Sequence, residues 1–480
     1  MIKQAAIIGG GVIGAGWAAR LLANGVNTTI YDPAPETEHR VLRTIDNADA
    51  AYAKLTAAPR PTMNTPQFAK SVADAVCDAE FVFEAVPERM EIKRAVYAEI
   101  ESAANPQTIV ASSTSGLLPS ELQQEMKHPQ RFLVAHPFNP VYLLPLVELA
   151  GGEKTTTETI DKTAALATAL GMHPLRIRKE IDAFVADRLL EAAWREALWL
   201  IHDGVATTAD VDAAVTYGFG LRWAQMGIFE TYRIAGGDGG MGHFLQQFGP
   251  SLKWPWTKLS DVPELTDKLT DDIVAQSEEQ SGQHSVSDLE RIRDDNLIAF
   301  LGGLKNNNWG AGKVLDEWER QLFARATLPD SLAPARTLSR RVPKHWTDYN
   351  GHMNESRYLE CFSDASDVVM RLIGANADYV AAGNSYFTVE THIRNLQEAR
   401  ANDWIYADST VLLAEGKKLK LFHELKNADG EIVATGEHML IHVNLQTRRS
   451  SQPSPEVAAA AAKFAAAAAK LPTPEGAGRL

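Results

Sequence analysis

The chain has 480 residues, 45% hydrophobic and 22% charged, which excludes a disordered or fibrous protein and predicts two to four packed domains. A formal charge of −14 argues against nucleic acid or an anionic membrane as a partner. Cys77 and Cys361 are too few for a disulfide framework or a cysteine zinc site, so we expect no metal and a cytoplasmic location. No apolar run reaches the roughly 20 residues of a membrane span, and no secretory leader is evident.

Residues 1–182 alternate short apolar runs with helical patterns. The runs are Ala5–Ile8, Thr28–Tyr31, Phe81–Glu84, Thr108–Ala111, Phe132–Ala135 and Leu146–Leu149. Strands separated by helices predict a parallel sheet with crossover helices, that is, a Rossmann-type α/β domain.

The rest of the chain divides into a helical part, a linker and an α+β part. Residues 183–325 predict an all-helical domain with one interruption from Tyr217 to Trp256, and residues 326–337 predict a linker. Within residues 338–446, a long helix over Asn354–Ile373 precedes four strands, with Asp429-Gly430 as a hairpin turn. Residues 447–480 are read as an alanine-rich tail without an apolar face, frayed at Pro472, Pro474 and Gly478.

A glycine-rich loop follows the first predicted strand. The residues Gly9, Gly10, Gly11, Val12, Ile13 and Gly14 form G-x-G-x-x-G between a strand and a helix, where backbone amides can bind a pyrophosphate. Asp32 ends the second strand, where its carboxylate can accept hydrogen bonds from a ribose diol and repel a 2′-phosphate. We therefore expect NAD rather than NADP; the alternative is a plain glycine turn followed by a strand-end acid.

Three further motifs follow in order: Phe83–Glu88 with Lys93 after it, Ser112–Ser115, and His136–Val141 with Glu148 after it. Through them, residues 1 to about 320 resemble the 3-hydroxyacyl-CoA dehydrogenase superfamily. The resemblance implies that His136 takes the hydroxyl proton while hydride leaves C3, that Glu148 orients His136, and that Ser115 bonds the substrate oxygen. It also implies that Glu88, Lys93 and Asn139 lie around the nicotinamide.

The residue types agree with that chemistry. Oxidation of a secondary alcohol needs a base that titrates near neutral pH, and a carboxylate on the far imidazole nitrogen fixes its tautomer. His136 and Glu148 are expected at the carboxyl ends of neighbouring strands, where open α/β sheets bind ligands. A histidine outside such a set of residues is more often structural.

One departure from the superfamily concerns the substrate. Acyl-CoA members carry Asn in a Gly-Phe-Ile-Val-Asn-Arg-Leu segment, where this chain has Asp187 in Ala183–Leu189. The chain resembles the branch with L-carnitine dehydrogenase and gulonate dehydrogenase, which act on small free hydroxy acids. A trimethylammonium group is bound by aromatic faces and a negative charge, and Asp187, Trp223, Phe229 and Tyr232 are the candidates for this role. Alternatively, these aromatic side chains only pack the helical domain.

A second resemblance covers residues from about 338 to 443. Trp346–Asn354 contains Asp-x-Asn-Gly-His-Met-Asn ahead of a long helix and resembles hotdog-fold acyl-CoA thioesterases. The resemblance implies that Asp348 is general base or nucleophile, that His352 and Asn354 shape the site, and that Asn350 lies near the substrate. The free amides at the helix N-terminus can polarise the thioester carbonyl.

The order of the two parts resembles fusions of an L-carnitine dehydrogenase with a betainyl-CoA thioesterase. It implies NAD as cofactor, L-carnitine and an acyl-CoA thioester as substrates, and a homo-oligomer, since both component families form dimers. Two alternatives stay open: a true 3-hydroxyacyl-CoA dehydrogenase, and a hotdog unit that only dimerises or senses acyl-CoA.

Overall fold

The computed structural model describes residues 2–56, 58, 60–61, 63–235, 240–248, 257, 264, 266–281, 283–325, 334–342, 346–401 and 403–480. The chain separates into two compact units, the first mainly residues 1–318 and the second mainly residues 319–480. Within the described residues no helix is long and apolar enough to cross a bilayer. The same residues contain no cluster of three or more metal-ligating side chains.

The first unit is built on an eight-stranded sheet of order β3-β2-β1-β4-β5-β6-β7-β8. Its strands are β1 Gln4–Ile8, β2 Asn27–Tyr31, β3 Gln67–Phe68, β4 Phe81–Glu84, β5 Ile109–Ser112, β6 Phe132–Pro137, β7 Leu146–Ala150 and β8 His173–Arg176. The strand order reverses between β1 and β4, which is where open α/β sheets bind ligands. All six predicted strands are present, and the predicted Rossmann-type α/β architecture is confirmed.

One neighbouring pair of strands runs differently from the predicted parallel sheet. β6 and β7 are antiparallel, with His136 directly opposite Glu148. The segment between them is only eight residues long, and a parallel crossover needs a dozen or more. The expectation that both residues lie at carboxyl ends of strands was therefore wrong for Glu148, which is the third residue of β7. The antiparallel register brings the two side chains together all the same.

Helices cover the sheet and form the remainder of the first unit. They are α1 Val12–Ala23, α2 Thr37–Leu55, α3 Val72–Val76, α4 Met90–Ala103, α5 Pro119–Leu122, α6 Thr157–Ala169, α7 Ala186–His202, α8 Thr208–Ala214, α9 Gly220–Ala235, α10 Gly240–Phe248, α11 Asp267–Ser281, α12 Val286–Asn306 and α13 Ala311–Arg325. The described residues of the interruption predicted from Tyr217 are instead largely helical. α9 continues through a kink at Gly227 (φ 70°). Its predicted end at Trp256 lies outside the described residues.

The second unit is an antiparallel sheet wrapped around one long helix. Its strands, in the order β10-β13-β12-β11-β9 with β14 beside β13, are β9 Ala335–Arg341, β10 Asn384–Asn395, β11 Trp404–Glu415, β12 Lys418–Asn427, β13 Ile432–Asn444 and β14 Arg449–Ser450. The helices are α14 Glu355–Leu372, α15 Ala377–Ala381 and α16 Pro455–Ala468. The predicted hairpin turn is confirmed, with Gly430 at φ 85°. The sheet and α14 form the α+β hotdog architecture.

The alanine-rich segment is part of this unit's core and is not a free tail. Val457, Ala461 and Phe464 of α16 are buried with residues of α14, β11 and β12, so the helix does have an apolar face. The end of the chain is not frayed either, since the Arg479 amide donates to Glu437 Oε2 at 2.8 Å. The linker predicted over 326–337 is also too long, because β9 begins at Ala335; residues 326–333 lie outside the described part. An apolar face of α16 was not evident in the sequence, because most residues of this helix are alanines with small side chains.

Candidate active sites

The glycine-rich loop connects β1 to α1 as predicted. Gly9 has a φ of 101°, and a Cβ there would lie 2.5 Å from the Ala85 carbonyl oxygen. A Cβ on Gly14 would lie 1.9 Å from the Gly9 carbonyl oxygen, so only glycine permits this approach of helix and loop. Gly11 caps α1 without a side-chain hydrogen bond, and its missing Cβ points into open space. The loop therefore leaves the first amides of α1 accessible to an anion.

Asp32 lies beside this loop. Its Oδ2 accepts from the Gly10 amide at 2.7 Å and its Oδ1 from the Ala34 amide at 2.8 Å. The exposed Val12 and half-buried Ile13 form the first turn of α1. The residues present thus fit NAD: the α1 amides would hold the diphosphate and Asp32 the ribose diol.

Glu84, at the end of β4, is the centre of a buried hydrogen-bond network that the sequence did not reveal. Its carboxylate accepts from Lys93 Nζ at 2.8 Å, Tyr97 Oη at 2.6 Å and Ser112 Oγ at 2.7 Å. Burial, and then the charge of Glu84, raise the pKa of Tyr97 well above its usual value, so Tyr97 remains a neutral donor. The network fixes the ends of β4 and β5, next to the reversal of strand order between β1 and β4.

Lys93 has a different environment from the one its motif implied. Its side chain is 1% exposed, and Nζ contacts Glu84, the Val86 carbonyl oxygen and Glu88 Oε2, the last at 3.3 Å. The ammonium is therefore enclosed by protein acceptors and holds Glu88 in place. Contact between Lys93 and the nicotinamide stays a prediction.

Glu88 is held from its other side by the loop that carries Ser115. Its Oε1 accepts from the Ser115 amide at 3.1 Å and from the Thr114 hydroxyl. Ser115 and Asn139 are both exposed, and no hydrogen bond in the described part of the chain joins either to His136. The structure thus brings Glu88 and Ser115 together, and their contacts with cofactor and substrate stay predictions.

His136 and Glu148 form a buried imidazole–carboxylate pair. His136 Nδ1 lies 3.0 Å from Glu148 Oε2, and the two side chains are 6% and 0% exposed. The ring of Phe138 lies 4.8 Å from the imidazole, centroid to centroid, and that of Phe184 lies 5.8 Å away. With Nδ1 bonded to the carboxylate, Nε2 is the nitrogen available to a substrate.

The second oxygen of Glu148 is bound by the start of α7. Glu148 Oε1 accepts from the amides of Val185 and Ala186, each at 3.0 Å. Ala183 and Phe184 reach this position with φ angles of 58° and 49°, which residues with a Cβ rarely adopt. No sequence pattern indicates these two amides as partners of Glu148. The buried carboxylate therefore has hydrogen bonds to both oxygens, which offset the cost of its burial.

Asp187 lies on the open side of His136. Its Oδ2 is 3.7 Å from His136 Nε2, and its side chain is 24% exposed. Burial raises the pKa of Asp187; the charge of His136 opposes this change, and Glu148 and Glu191 add to it. The imidazole thus has one carboxylate near each nitrogen, the inner one fully bonded and the outer one accessible to a small molecule.

The predicted aromatic residues lie on α9. Trp223 and Tyr232 are about 40% exposed and Phe229 is 78% exposed. The Trp223 ring contacts Phe219, and the Tyr232 ring stacks on Phe244 at 4.6 Å. Among the described contacts, none joins these three side chains to His136 or Asp187. The structure places Asp187 at the site and does not assemble the aromatic cage, which stays a prediction.

The second site surrounds the turn before α14. Asp348 Oδ1 accepts from the amides of Asn350 at 2.8 Å and His352 at 3.3 Å, and Gly351 closes the turn at φ 80°. Asn354 is the N-cap of α14, where its Oδ1 accepts from the Ser356 amide at 3.0 Å. Its side chain therefore caps the helix that the motif precedes. Asn350 is exposed and contributes its backbone to the turn.

A cavity of about 320 Å³ opens beside this turn. Asp348 and His352 line it, together with Glu355, Tyr358 and the segment 395–398. His352 Nε2 lies 3.1 Å from Glu398 Oε2. Sequence reasoning missed Glu398, because it follows β10 and approaches the motif only through the fold; a polar end to a strand was the only signal.

Comparisons with known proteins match both units to known families. Residues 4–181 match the family of the 3-hydroxyacyl-CoA dehydrogenase NAD binding domain, residues 184–276 match its C-terminal domain, and residues 342–461 match the thioesterase-like superfamily. A solved structure of an NAD⁺-dependent 5-formyl-3-hydroxy-2-methylpyridine 4-carboxylic acid 5-dehydrogenase aligns with 62% of this chain and 97% of its own. Its TM-score is 0.55 and its sequence identity is 30%.

Curated relatives match over the full length. The L-carnitine dehydrogenase/betainyl-CoA thioesterase of Ruegeria pomeroyi is 52% identical, with 99% of each chain covered. That of a Rhizobium species is 50% identical over 100% of this chain and 98% of its own. The L-carnitine dehydrogenase of Mesorhizobium japonicum is 53% identical over 67% of this chain and 90% of its own. This chain therefore belongs to the L-carnitine dehydrogenase/betainyl-CoA thioesterase family, with an NAD-binding dehydrogenase unit and a thioesterase-like unit in one polypeptide.

Proposed function

We propose that this chain oxidises L-carnitine to 3-dehydrocarnitine with NAD, and hydrolyses betainyl-CoA to glycine betaine and CoA. The observation that carries the first activity is the placement of His136 between Glu148 and Asp187. The full-length relatives that bear both names support the second activity.

The protein's part in the oxidation is to remove a proton. The carnitine hydroxyl donates to His136 Nε2, which takes its proton as the C3–O bond becomes a carbonyl. Glu148 accepts a hydrogen bond from Nδ1–H of His136. This bond keeps the neutral imidazole in the correct tautomer and stabilises the imidazolium that forms. NAD, when bound, supplies the hydride acceptor for C3.

Asp187 accounts for the choice of a cationic substrate. A hydroxyl bonded to Nε2 at about 2.8 Å lies close to Asp187 Oδ2, which is 3.7 Å from the same nitrogen. In carnitine one methylene separates the carbinol carbon from the trimethylammonium group, so the cation lies within a few ångströms of this carboxylate. A neutral acyl chain at this position gains nothing from the charge. The arrangement therefore favours a small quaternary ammonium alcohol over a 3-hydroxyacyl-CoA.

In the thioesterase unit, Asp348 acts on the thioester carbonyl as nucleophile or general base. Its Oδ1 is held by two amides, and Oδ2 has no hydrogen-bond partner within the described residues. The amides at the start of α14 are suited to polarise the carbonyl oxygen. Asp348→Ala should lower hydrolysis of betainyl-CoA by at least about 100-fold and leave NADH formation unchanged. Undiminished hydrolysis would remove Asp348 from the mechanism.

The first experiment follows NADH formation with L-carnitine, D-carnitine, gulonate, 3-hydroxybutyrate and 3-hydroxybutyryl-CoA side by side. Turnover confined to L-carnitine supports the proposal. Turnover only with the CoA ester would assign the chain to acyl-CoA oxidation and leave Asp187 without a cation to bind.

We further propose a cytoplasmic homodimer. Several large apolar side chains of the helical region are more than half exposed in the single chain, among them Leu189, Leu190, Trp194 and Ile234. Surfaces of this kind favour association with a second copy. Light scattering after size exclusion measures the mass, and a monomer at micromolar concentration would contradict the proposal.

A further inference from the structure

Glu398 is the residue of the thioesterase site that neither the motif nor the family comparison assigns. Its Oε2 lies 3.1 Å from His352 Nε2, and both side chains line the cavity that contains Asp348. His352 is 29% exposed and Glu398 is 65% exposed. The pair therefore stands at the mouth of the site, in contact with solvent.

The backbone holds the two residues at this distance. The Met353 amide donates to the Ala399 carbonyl oxygen at 2.6 Å, and His352 and Arg400 form an antiparallel bridge. The Asp348 amide donates to the His352 carbonyl oxygen at 2.8 Å, which closes the turn on its other side. These backbone hydrogen bonds thus set the positions of Asp348, His352 and Glu398. The ion pair therefore joins two residues whose backbones are already held together.

The geometry points to Glu398 as a positioning residue for thioester hydrolysis, an inference that rests on the thioesterase activity proposed above. The Glu398 carboxylate accepts a hydrogen bond from Nε2–H of His352. It therefore selects the tautomer with the proton on Nε2, since a carboxylate can accept only from a nitrogen that carries a proton. Nδ1 then carries the free lone pair, and it has no hydrogen-bond partner within the described residues. The imidazole is thereby prepared to accept a proton at Nδ1.

With Asp348 as the nucleophile, hydrolysis takes two steps. Asp348 Oδ2 bonds to the thioester carbon, the C–S bond breaks, and its electron pair leaves on the sulfur of CoA. Water then adds to the acyl carbon of the resulting anhydride, and Nδ1 of His352 takes a proton from that water. The bond from the acyl carbon to Asp348 breaks and restores the carboxylate. His352 returns its proton to the thiolate or to solvent.

The test is Glu398→Gln, which keeps the size of the side chain and removes its charge. We expect kcat for betainyl-CoA to fall about 3- to 10-fold, with KM within twofold, because the pair is exposed and screened. A loss confined to KM, or an unchanged kcat, would overturn the inference.

A second readout needs no turnover. Diethyl pyrocarbonate modifies neutral imidazole, and mass spectrometry of the peptide with His352 gives its modification rate at one fixed pH. In Glu398→Gln this rate should rise, because Nε2 loses the carboxylate that lies 3.1 Å from it. Glu355→Gln is the matched control, since Glu355 lines the same cavity and forms no ion pair with His352 within the described residues; its rate should change less than half as much.

The two readouts separate the role of Glu398 from the thioesterase activity itself. A native chain that hydrolyses no acyl-CoA would overturn the thioesterase activity, and the catalytic role of Glu398 with it. The modification rate would still decide whether Glu398 holds the imidazole. Equal rates in the native chain and in Glu398→Gln would overturn the pairing itself, whatever the turnover.

Discussion

His136 and His352 are each paired with one glutamate, but water reaches the two pairs to very different degrees. His136 and Glu148 are 6% and 0% exposed, whereas His352 and Glu398 are 29% and 65% exposed. Solvent screens the second pair, so its charge contributes little to folding. In the first pair the carboxylate is removed from water and depends on its protein hydrogen bonds. The same two residue types are thus tied to the fold in one unit and contribute little to stability in the other.

The partners of the two glutamates reflect this difference. Glu148 has a hydrogen bond to each oxygen, including two amides from the start of α7. Glu398 has His352 and otherwise faces solvent, and the backbone ladder around Ala399 sets its position. A buried anion needs such a complete shell, because each unmet hydrogen bond would cost about 1–3 kcal/mol.

The largest expected effect is at the buried imidazole itself. His136→Gln should lower NADH formation from L-carnitine by at least about 10³-fold, because the glutamine amide cannot take the hydroxyl proton that the imidazole takes. Binding of the dinucleotide should be retained, as measured by the fluorescence of bound NADH. Near-normal turnover would show that the His136–Glu148 pair takes no part in the reaction. The comparison with His352 and Glu398 would then concern burial alone.

Within the described residues, the buried His423 and His438 of the thioesterase unit form no ion pair with a carboxylate, and they extend the comparison. His423 bonds the hydroxyls of Ser366 and Ser409, and the His438 ring lies 5.1 Å away. Burial lowers the pKa of His438 to about 4 and that of His423 well below its usual value. The folded state therefore binds fewer protons than the unfolded state, and stability present above about pH 6.5 is lost as the pH falls.

For His438 alone the loss should approach about 3 kcal/mol by pH 4. Hydrogen exchange of peptides from β12 and β13, measured from pH 7 to 4.5, tests this expectation, with peptides from β1 and β4 as reference. Exchange protection that stays constant across this range would contradict it.

Glu148→Gln should impair both function and folding. The amide places an NH₂ group beside His136 Nδ1 or the α7 amides, so one buried donor loses its acceptor. We expect kcat to fall about 100-fold and the free energy of unfolding to fall by about 1–3 kcal/mol. Glu398→Gln is the exposed counterpart, for which the change in unfolding free energy should stay within about 0.5 kcal/mol. Equal destabilisation by both variants would refute the distinction drawn from burial.

Asp187 is intermediate between the two glutamates, at 24% exposure. Asp187→Asn should raise KM for L-carnitine about 10-fold and affect kcat less, because the cation loses its counter-charge. Since burial raises the pKa of Asp187, KM in the native chain should rise on acidification at a higher pH than for an ordinary aspartate. In the Asn variant this pH dependence should be absent, and its persistence would assign it to another group.

The smallest expected effect concerns backbone strain beside each site. Ala183 has a φ of 58°, whereas the turn at Asp348 uses Gly351 at φ 80°. Ala183→Gly should therefore raise the free energy of unfolding by up to about 1 kcal/mol, and Gly351→Ala should lower it by a similar amount. A Cβ on Gly351 meets no atom within 4 Å, so its cost comes from the backbone alone. Hydrogen exchange of peptides around residues 183 and 351 measures both, and changes of the same sign would contradict the expected opposite effects.

The features that could be predicted from sequence depend on local geometry. Gly9 and Gly14 of the loop need residues without a Cβ, and alternating apolar runs identify the strand that Asp32 follows and the strand that contains His136. The burial of α16 was not predicted, because alanine side chains give no clear apolar pattern. The antiparallel direction of β7 was not predicted either, because it follows from the short connection between β6 and β7.

The sequence by itself determined the Rossmann-type and hotdog folds, the dinucleotide loop, the His136–Glu148 pair and the Asp348 turn, because each depends on residue types at fixed spacing or on a recognisable family motif. Only the tertiary structure decided that the amides of α7 hold Glu148, that Asp187 lies on the other side of His136, and that Glu398 meets His352. These contacts join residues 37 to 51 positions apart in the chain, and their distances follow from how helices and strands pack rather than from any local pattern.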